Sequence, residues 1–210
     1  MTPQSAVDRL TARFSNAISA PVEFRGETTV TIARDQIVAA CQLLKNDCGF
    51  NMLTDLSGVD NYGQDPRYEV SYLLYSLSSR CHLRLKVLLP EDDLILDSVT
   101  SVWQGANWHE REAFDMFGIR FRNHPNLKRI LMWEGYPYHP LRKDFPLAGI
   151  PADLPETAVD ADSVRRSPML GGPFVPSSGT RSSIAREPRQ YDTISEQQDK
   201  LANPTKEESV

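Results

Sequence analysis

The chain has 210 residues and a formal net charge of −5, from 23 basic and 28 acidic side chains. The length is sufficient for one domain with a substantial core. The acidic balance argues against nucleic acid as a partner, because a phosphate backbone binds basic surfaces. No apolar run approaches the ~20 residues of a membrane-spanning helix, and no signal-peptide pattern is present. We therefore expect a chain with no membrane span of its own.

The first fifty residues predict two helices separated by two short strands. Pro3 stands at a favoured first helical position, and an apolar stripe continues from Val7 to Ile18. Asp35 can cap the N-terminus of a second helix, because aspartate is a favoured N-cap residue and a second apolar stripe follows it. The predicted elements are a helix from Thr2 to about Ser19, strands at Val22–Phe24 and Thr28–Ala33, and a helix from Asp35 to near Gly49.

The clearest strands lie in the middle of the chain, where apolar and polar residues alternate. Tyr68–Tyr75 and His82–Leu89 show a period of two, and the turn residues between them predict an antiparallel pair. Upstream, Phe50–Asp55 predicts another strand and Ser57–Asp60 the start of a polar loop. Helices and strands come in mixed order without a βαβ repeat. This order predicts an α+β fold, with a small mixed or antiparallel sheet covered by helices on one side.

Charge, aromatics, glycine and proline are densest from Asn107 to Leu147, a stretch that begins with a short helix. Asn107 is placed to cap this helix, and Glu110 is placed to reach back to the cap. Gly118 supplies the left-handed residue that ends it.

The segments on either side of this helix also predict structure. Upstream, Asp97 or Ser98 can cap another short helix that closes at Gly105. Downstream, Pro140 and Pro146 cannot both lie inside a regular element. We expect an extended run there, held in place by side chains.

Glu112 and Asp115 raise the question of catalysis, because on one helical face they could form an acid–base pair. Several cations are close in sequence, so we favour a salt-bridge network that fixes the Pro-rich run. Arg111 lies one turn from Asp115 and can pair with it, and Arg142 is the leading partner for both carboxylates. The triplet Arg142-Lys143-Asp144 could instead contact an anionic ligand. An interface anchor fits a charged triplet flanked by prolines better.

No pattern in the chain predicts a metal or cofactor site. His109-Glu110 begins an H-E-x-x-H pattern, but position 113 is alanine and the second zinc ligand is missing. Cys41, Cys48 and Cys81 include no C-x-x-C pair and suit a reducing cytosol. The glycines are scattered, with no phosphate-binding loop. We expect the chain itself to bind neither flavin nor NADH nor an iron–sulfur cluster.

The chain carries a long motif, E-R-E-x-x-D-M-F-G-I-x-F-x-x-H-P, at Glu110–Pro125. R-I-L follows at Arg129–Leu131 and H-P-L-R-K-D-F-P-L at His139–Leu147. This pattern resembles the C subunit of proton-pumping NADH-quinone oxidoreductase (respiratory complex I), and the likeness extends upstream to L-x-D-x-x-x-V-D at Leu53–Asp60. It departs from the family at Trp133–Tyr138, where family members vary. The motif residues proposed as an interface or structural site are Glu110, Arg111, Glu112, Asp115, Phe117, Gly118, His124, Pro125, His139, Pro140, Arg142, Lys143, Asp144 and Pro146.

The resemblance implies a subunit without a redox centre of its own. FMN and the iron–sulfur clusters would lie in partner subunits. This chain would pack against the quinone-chamber subunit (the D subunit) and neighbouring peripheral-arm subunits, on the cytoplasmic side of the membrane. Electron transfer from NADH to quinone and proton translocation would belong to the assembly.

A homologous subunit of a membrane-bound hydrogenase is an alternative in the same class. An independent adaptor or metal-binding protein is an alternative from another class.

The composition changes at residue 151, which predicts a domain at 1–150 and a tail at 151–210. The tail holds seven of the fifteen prolines and only two aromatics, Phe174 and Tyr191. Such a segment cannot bury enough apolar surface to offset its ordering entropy. We expect it to be disordered or docked along other subunits.

Overall fold

The computed structural model describes residues 2–146, so the predicted tail lies outside the described residues. The described part contains three α-helices, one short 3₁₀-helix and seven strands. In chain order they are α1 (Pro3–Phe14), β1 (Val22–Phe24), β2 (Glu27–Thr31), the 3₁₀-helix (Arg34–Gln36), α2 (Ile37–Asn46), β3 (Met52–Asp60), β4 (Tyr68–Ser76), β5 (Cys81–Leu89), β6 (Ile95–Asp97), α3 (Ala106–Phe117) and β7 (Arg120–Arg122).

The main sheet has five strands in the order β1-β2-β5-β4-β3, and β6 and β7 form a separate parallel pair. β2 and β5 are parallel, while the other neighbours in the main sheet are antiparallel. Alternate residues of β4 and β5, such as Tyr72 and its partner Leu85, share one core with buried residues of all three helices. The predicted α+β fold with a mixed sheet is confirmed. No helix among residues 2–146 is long and apolar enough to cross a membrane.

The N-terminal helix is shorter than predicted. α1 starts with a capping box between Thr2 and Ser5, but it ends at Phe14 instead of near Ser19. Ile18 forms a bridge with Ile32, so residues after the helix extend the β1–β2 hairpin. The apolar stripe therefore includes a residue that belongs to the sheet.

The predicted Asp35 cap is also wrong. Asp35 lies inside the 3₁₀-helix, and α2 begins after Gln36 without a side-chain cap. Asp35 comes too early in the chain to accept from the first free N–H groups of α2.

The segment Ser57–Asp60, predicted as a loop, is the second half of β3. Gly58 pairs with Val70 and Asp60 with Tyr68, which gives this segment a ladder along β4. A Cβ on Gly58 would come within 2.6 Å of the Phe117 ring, so the glycine allows α3 to lie close to β3. Sheet pairing has overridden the local turn preference of Ser-Gly.

The helix predicted from Asp97 or Ser98 to Gly105 is absent. Asp97 ends β6, and residues 98–105 form turns that lead directly into α3. α3 begins at Ala106 with no side-chain cap, so the predicted capping box between Asn107 and Glu110 is wrong. Glu110 points into the core instead.

Candidate functional site

Asp115, on α3, is fully buried and accepts four hydrogen bonds. Its Oδ2 accepts from the backbone N–H groups of Ile130, Leu131 and Met132 at 3.0, 2.7 and 2.9 Å. Its Oδ1 accepts from Arg129 Nη1 at 2.6 Å. Burial alone would raise the pKa of Asp115, but these donors outweigh burial and hold the pKa below its usual range. The carboxylate therefore stays ionised and fastens the chain beyond β7 to the helix.

The segment from His124 to Asp144, called the clasp below, runs along α3 and completes its C-terminal end. A helix normally leaves its last four carbonyls without intrahelical partners. In α3 all four are bonded, three of them by clasp residues. The donors are Gly118 N to Phe114 O (2.9 Å), His139 Nδ1 to Asp115 O (2.9 Å), Leu141 N to Met116 O (3.2 Å) and Arg142 Nε to Phe117 O (2.7 Å).

His139 donates from Nδ1 to Asp115 O, and it does so as a neutral imidazole with its proton on Nδ1. Burial is the main cause that lowers the pKa of His139, and Arg142 and Arg129 act in the same direction. The carbonyl of Asp115 accepts only from a protonated nitrogen, which selects the Nδ1–H tautomer.

Gly118 is required at the end of α3 for two reasons. Its φ of +81° is in the left-handed region, as its predicted role in ending the helix demands. A Cβ there would also lie 2.6 Å from Arg142 Nη2 and 2.7 Å from His139 Nε2. The glycine thus makes room for the two side chains that bond to the helix end.

The run containing Pro140 and Pro146 is turned, whereas an extended run was predicted. Arg142 N donates to His139 O at 3.2 Å, and Phe145 N donates to Arg142 O at 3.1 Å, which are successive turns. The predicted pairing of Arg142 with the helix carboxylates is wrong. Its guanidinium bonds a carbonyl and lies 5.5 Å from the centroid of the Tyr68 ring.

The far end of the clasp is fixed to the sheet through Asp60 and Arg67. Arg67 Nε and Nη2 each donate to the Asp60 carboxylate at 2.8 Å, and both side chains are almost fully buried. Asp60 also accepts from Lys143 N at 2.8 Å, and Asp144 lies 3.3 Å from Arg67 Nη2. The bond from Arg67 is the main cause that lowers the pKa of Asp60. The backbone N–H of Lys143 and the carboxylate of Asp144 therefore anchor this end of the clasp to Asp60 and Arg67.

Glu110 is a fully buried carboxyl group near the start of α3. It accepts from Ser98 Oγ at 2.6 Å and from Val99 N at 2.7 Å. Burial raises the pKa of Glu110 to about 7, although both hydrogen bonds act in the opposite direction. Among residues 2–146, the only basic side chain in ion-pair range of this carboxyl group is the imidazole of His124, whose Nε2 lies 3.9 Å from Glu110 Oε2.

His124 is neutral and holds the start of the clasp against α3. Its Nδ1 accepts from Asn126 N at 3.0 Å, so the proton is on Nε2, which lies 3.2 Å from Asn107 O. Burial lowers the pKa of His124 from its usual value. The turns before α3, the helix and the clasp are thus tied together through Glu110 and His124.

Glu112 and Asp115 do not form an acid–base pair. Glu112 lies on the outer side of α3, whereas Asp115 is buried under the clasp. Arg111, the predicted partner of Asp115, donates instead to the carbonyls of Lys128 and Arg129 at 3.0 and 3.1 Å. Among residues 2–146, no three His, Cys, Asp or Glu side chains are grouped as metal ligands.

Residues 30–151 match the family model described as "Respiratory-chain NADH dehydrogenase, 30 Kd subunit". The chain is also 49% identical over 144 residues to the C subunit of NADH-quinone oxidoreductase from Citrifermentans bemidjiense, over 69% of this chain and 89% of that protein. The chain belongs to the respiratory-chain NADH dehydrogenase 30 Kd subunit family. The C subunit of the Geobacter sulfurreducens enzyme is 48% identical over 145 residues, 69% of this chain and 90% of that protein.

Two solved structures show the same fold as this 30 Kd subunit family member. A trypsin-resistant fragment (1–134) of Nqo5 is 30% identical, with a TM-score of 0.53 over 60% of this chain and 100% of the fragment. A chain of an archaeal membrane-bound sulfane sulfur reductase is similar in fold, with a TM-score of 0.60 at 16% identity over 84% of this chain and 97% of that chain. The described sheet and helices are therefore the family's fold.

Most motif residues singled out in this family member lie on α3 or on the clasp that covers it. Phe117 is buried under β3, Pro140 is partly buried, and Pro125 and Pro146 lie nearer the surface. Sequence reasoning missed Arg129 as the partner of Asp115, and it missed Arg67 with Asp60. Arg129 is the first residue of the R-I-L motif, and Asp60 is the last residue of the upstream L-x-D-x-x-x-V-D motif. Both therefore belong to the sequence motifs that resemble the family. Ser98 and Arg67 had no such signal.

Proposed function

We propose that this chain is the C subunit of a proton-pumping NADH-quinone oxidoreductase and acts there as a scaffold without a redox centre. It packs against the quinone-chamber subunit in the peripheral arm, on the cytoplasmic side of the membrane. FMN and the iron–sulfur clusters are carried by partner subunits, and electrons from NADH reach quinone through the assembly. The isolated chain has no catalytic activity. Family membership is the observation that carries this proposal, through the family-model match over residues 30–151 and the 49% identity to a curated C subunit over 144 residues.

The geometry of the motif supports a scaffold role. Several of the side chains that first suggested chemistry are used by contacts within the chain, whereas Glu112 is exposed. Asp115 holds the clasp, His139 and Arg142 complete the end of α3, and Glu110 lies beneath Ser98 and Val99. Side chains held in such bonds fix the shape of the surface around α3, as a scaffold requires.

The proposal is tested by purifying the tagged full-length chain from native membranes in mild detergent and identifying the proteins that accompany it. We expect the subunits of an NADH-quinone oxidoreductase, with the quinone-chamber subunit in stoichiometric amount, together with NADH-dependent quinone reduction by the purified assembly. Recovery of hydrogenase subunits, or of the chain alone, would overturn it.

The absence of a redox centre is tested separately on the chain purified without its partners. We expect no flavin or iron–sulfur absorbance, no stoichiometric metal by elemental analysis, and no oxidation of NADH. Stoichiometric iron, zinc or flavin in that preparation would show that the chain is not a simple scaffold.

A further inference from the structure

α3 presents an unusually exposed tryptophan beside an arginine. The Trp108 side chain is 61% exposed, and Arg111 Cζ lies 5.1 Å from the centroid of its ring. Tryptophan and arginine are among the side chains most enriched where protein partners gain most of their binding energy. The pair leaves a large apolar face and a cation together at the surface.

The guanidinium of Arg111 is held in a fixed position. Its Nε and Nη2 donate to the carbonyls of Lys128 and Arg129 at 3.0 and 3.1 Å, so the clasp orients the side chain over Trp108. A group already ordered in the free protein loses little further entropy on binding. The remaining N–H groups of Arg111 can therefore be offered to a ligand at low cost.

Arg111 has no carboxylate within ion-pair distance among residues 2–146. Asp115, one turn away, is already occupied by Arg129 and by three N–H groups of the clasp. Lys128, whose carbonyl accepts from Arg111, is an exposed lysine, and Glu112 is an exposed acid on the same helix. The charge of Arg111 is thus available to an acidic group from outside the described residues.

A second exposed apolar residue lies on the clasp, close in sequence to the carbonyls that hold Arg111. Leu131 is 62% exposed and stands two residues after Arg129, whose carbonyl accepts from Arg111. Trp108, Arg111 and Leu131 are called the Trp108 surface below. An apolar patch with a fixed cation is complementary to a carboxylate that lies beside an apolar pocket.

We propose that the Trp108 surface is a docking site for another subunit of the oxidoreductase, which presents an Asp or Glu side chain next to a pocket for the indole ring. This inference rests on the proposed function, because it assigns a contact within that assembly. A carboxylate from the partner completes the hydrogen bonding of Arg111, and the indole ring fills the adjoining pocket. Removing Trp108 should weaken docking without weakening the fold.

A second aromatic–arginine pair serves as a matched control. Phe24 is 67% exposed on β1, and Arg25 Cζ lies 5.2 Å from its ring centroid. Arg25 has no side-chain hydrogen bond or ion pair with the described residues, so its position is not fixed by the fold. The two sites share exposure and chemistry but differ in preorganisation.

The test compares the wild-type full-length chain with Trp108→Ala and Phe24→Ala, each tagged and expressed in the native host. Partner subunits that co-purify from detergent-solubilised membranes are quantified by mass spectrometry. We expect Trp108→Ala to lower their yield about tenfold or more, as for loss of a binding hot spot. Phe24→Ala should retain the wild-type yield, and the thermal unfolding midpoint of each isolated variant should match that of the wild type.

Photo-crosslinking identifies what covers the surface. With p-benzoylphenylalanine in place of Trp108, we expect a crosslink to an oxidoreductase subunit at a peptide that contains an acidic residue beside apolar ones. Equal partner yields from wild type and Trp108→Ala, or a crosslink to residues 147–210 of the same chain, would overturn the inference. A wild-type chain that recovers no oxidoreductase subunit would instead overturn the proposed function.

Discussion

The carboxyl group of Glu110 should make the stability of this protein fall as the pH rises, and Glu110→Gln should remove that effect. The carboxyl group is fully buried and lacks a cationic partner among the described residues. The nearest basic side chain there is His124, which is neutral and lies 3.9 Å away. A glutamine side chain has nearly the same shape as protonated glutamic acid. Its carbonyl oxygen can accept from Val99 N, and its amide can donate to Ser98 Oγ.

The magnitude follows from the pKa in the folded chain. Burial raises the pKa of Glu110 from 4.5 to about 7. The native state therefore holds this proton more tightly than the unfolded state. The resulting stabilisation is complete below pH 4.5 and is lost as the pH rises to 7. At about 1.4 kcal/mol for each tenfold change, the full loss is about 3 kcal/mol. About 2.5 kcal/mol of it falls between pH 5 and pH 8.

Two histidines act in the opposite direction over part of this range. The pKa values of His124 and His139 are lowered by burial, so the stability that they contribute is present above pH 6.5 and is lost as the pH falls below it. Both histidines remain in the variant. The quantity to compare is therefore the difference between the two chains at each pH, in which their contribution largely cancels.

The assay is urea unfolding of the full-length chain, followed by circular dichroism at pH 5 and pH 8, with the free energy taken by linear extrapolation. The stability of Glu110→Gln relative to wild type should increase by about 2.5 kcal/mol between these pH values. Glu112→Gln is the matched control, because it removes an outward-facing carboxylate from the same helix. Its pH profile should run parallel to that of the wild type.

Parallel profiles for Glu110→Gln and wild type would refute this reasoning. They would mean that the buried carboxylate ionises without cost, for example through a protonated His124. A change in the urea dependence between variants would indicate an altered native or unfolded state and would require a second method.

Three further predictions concern the clasp, the end of α3 and the tail. Asp115→Ala should destabilise the chain by roughly 3–5 kcal/mol, because Arg129 and three N–H groups lose their shared partner. Urea unfolding measures this change. An effect below about 1 kcal/mol would contradict the role given to this carboxylate. Gly118→Ala should cost more than the ~1 kcal/mol of left-handed strain alone, because its Cβ would meet Arg142 and His139; thermal unfolding measures this, and an unchanged midpoint would count against it. Truncation after Ile150 should leave the midpoint almost unchanged while loosening the assembly to salt, since residues 151–210 have too few apolar side chains for a core. Strong hydrogen-exchange protection beyond residue 151 in the free chain would oppose that last expectation.

The strands were predictable where the pattern of side chains and the local geometry agree. β4 and β5 alternate with a period of two, and their antiparallel pairing follows from the short turn between them. Ser57–Asp60 reads as a turn in isolation, yet it forms a nine-residue strand with the rest of β3. Its partner β4 is already part of a buried sheet, so pairing satisfies backbone groups that a loop would leave to water.

The sequence by itself determined the family, the α+β class and the position of α3, because these depend on long local patterns and on residues such as Gly118 that fix backbone geometry. Only the tertiary structure decided which groups bond to one another. Arg111 and Asp115 are neighbours on the helix, but the clasp offers Asp115 three N–H groups and Arg129 at once, which together satisfy a buried carboxylate far better than one arginine at the surface can. Glu110 turns inward for the same kind of reason, because Ser98 Oγ and Val99 N donate to its carboxyl oxygens. These donors lie 11 and 12 residues upstream, and only the folding of the chain brings them to Glu110.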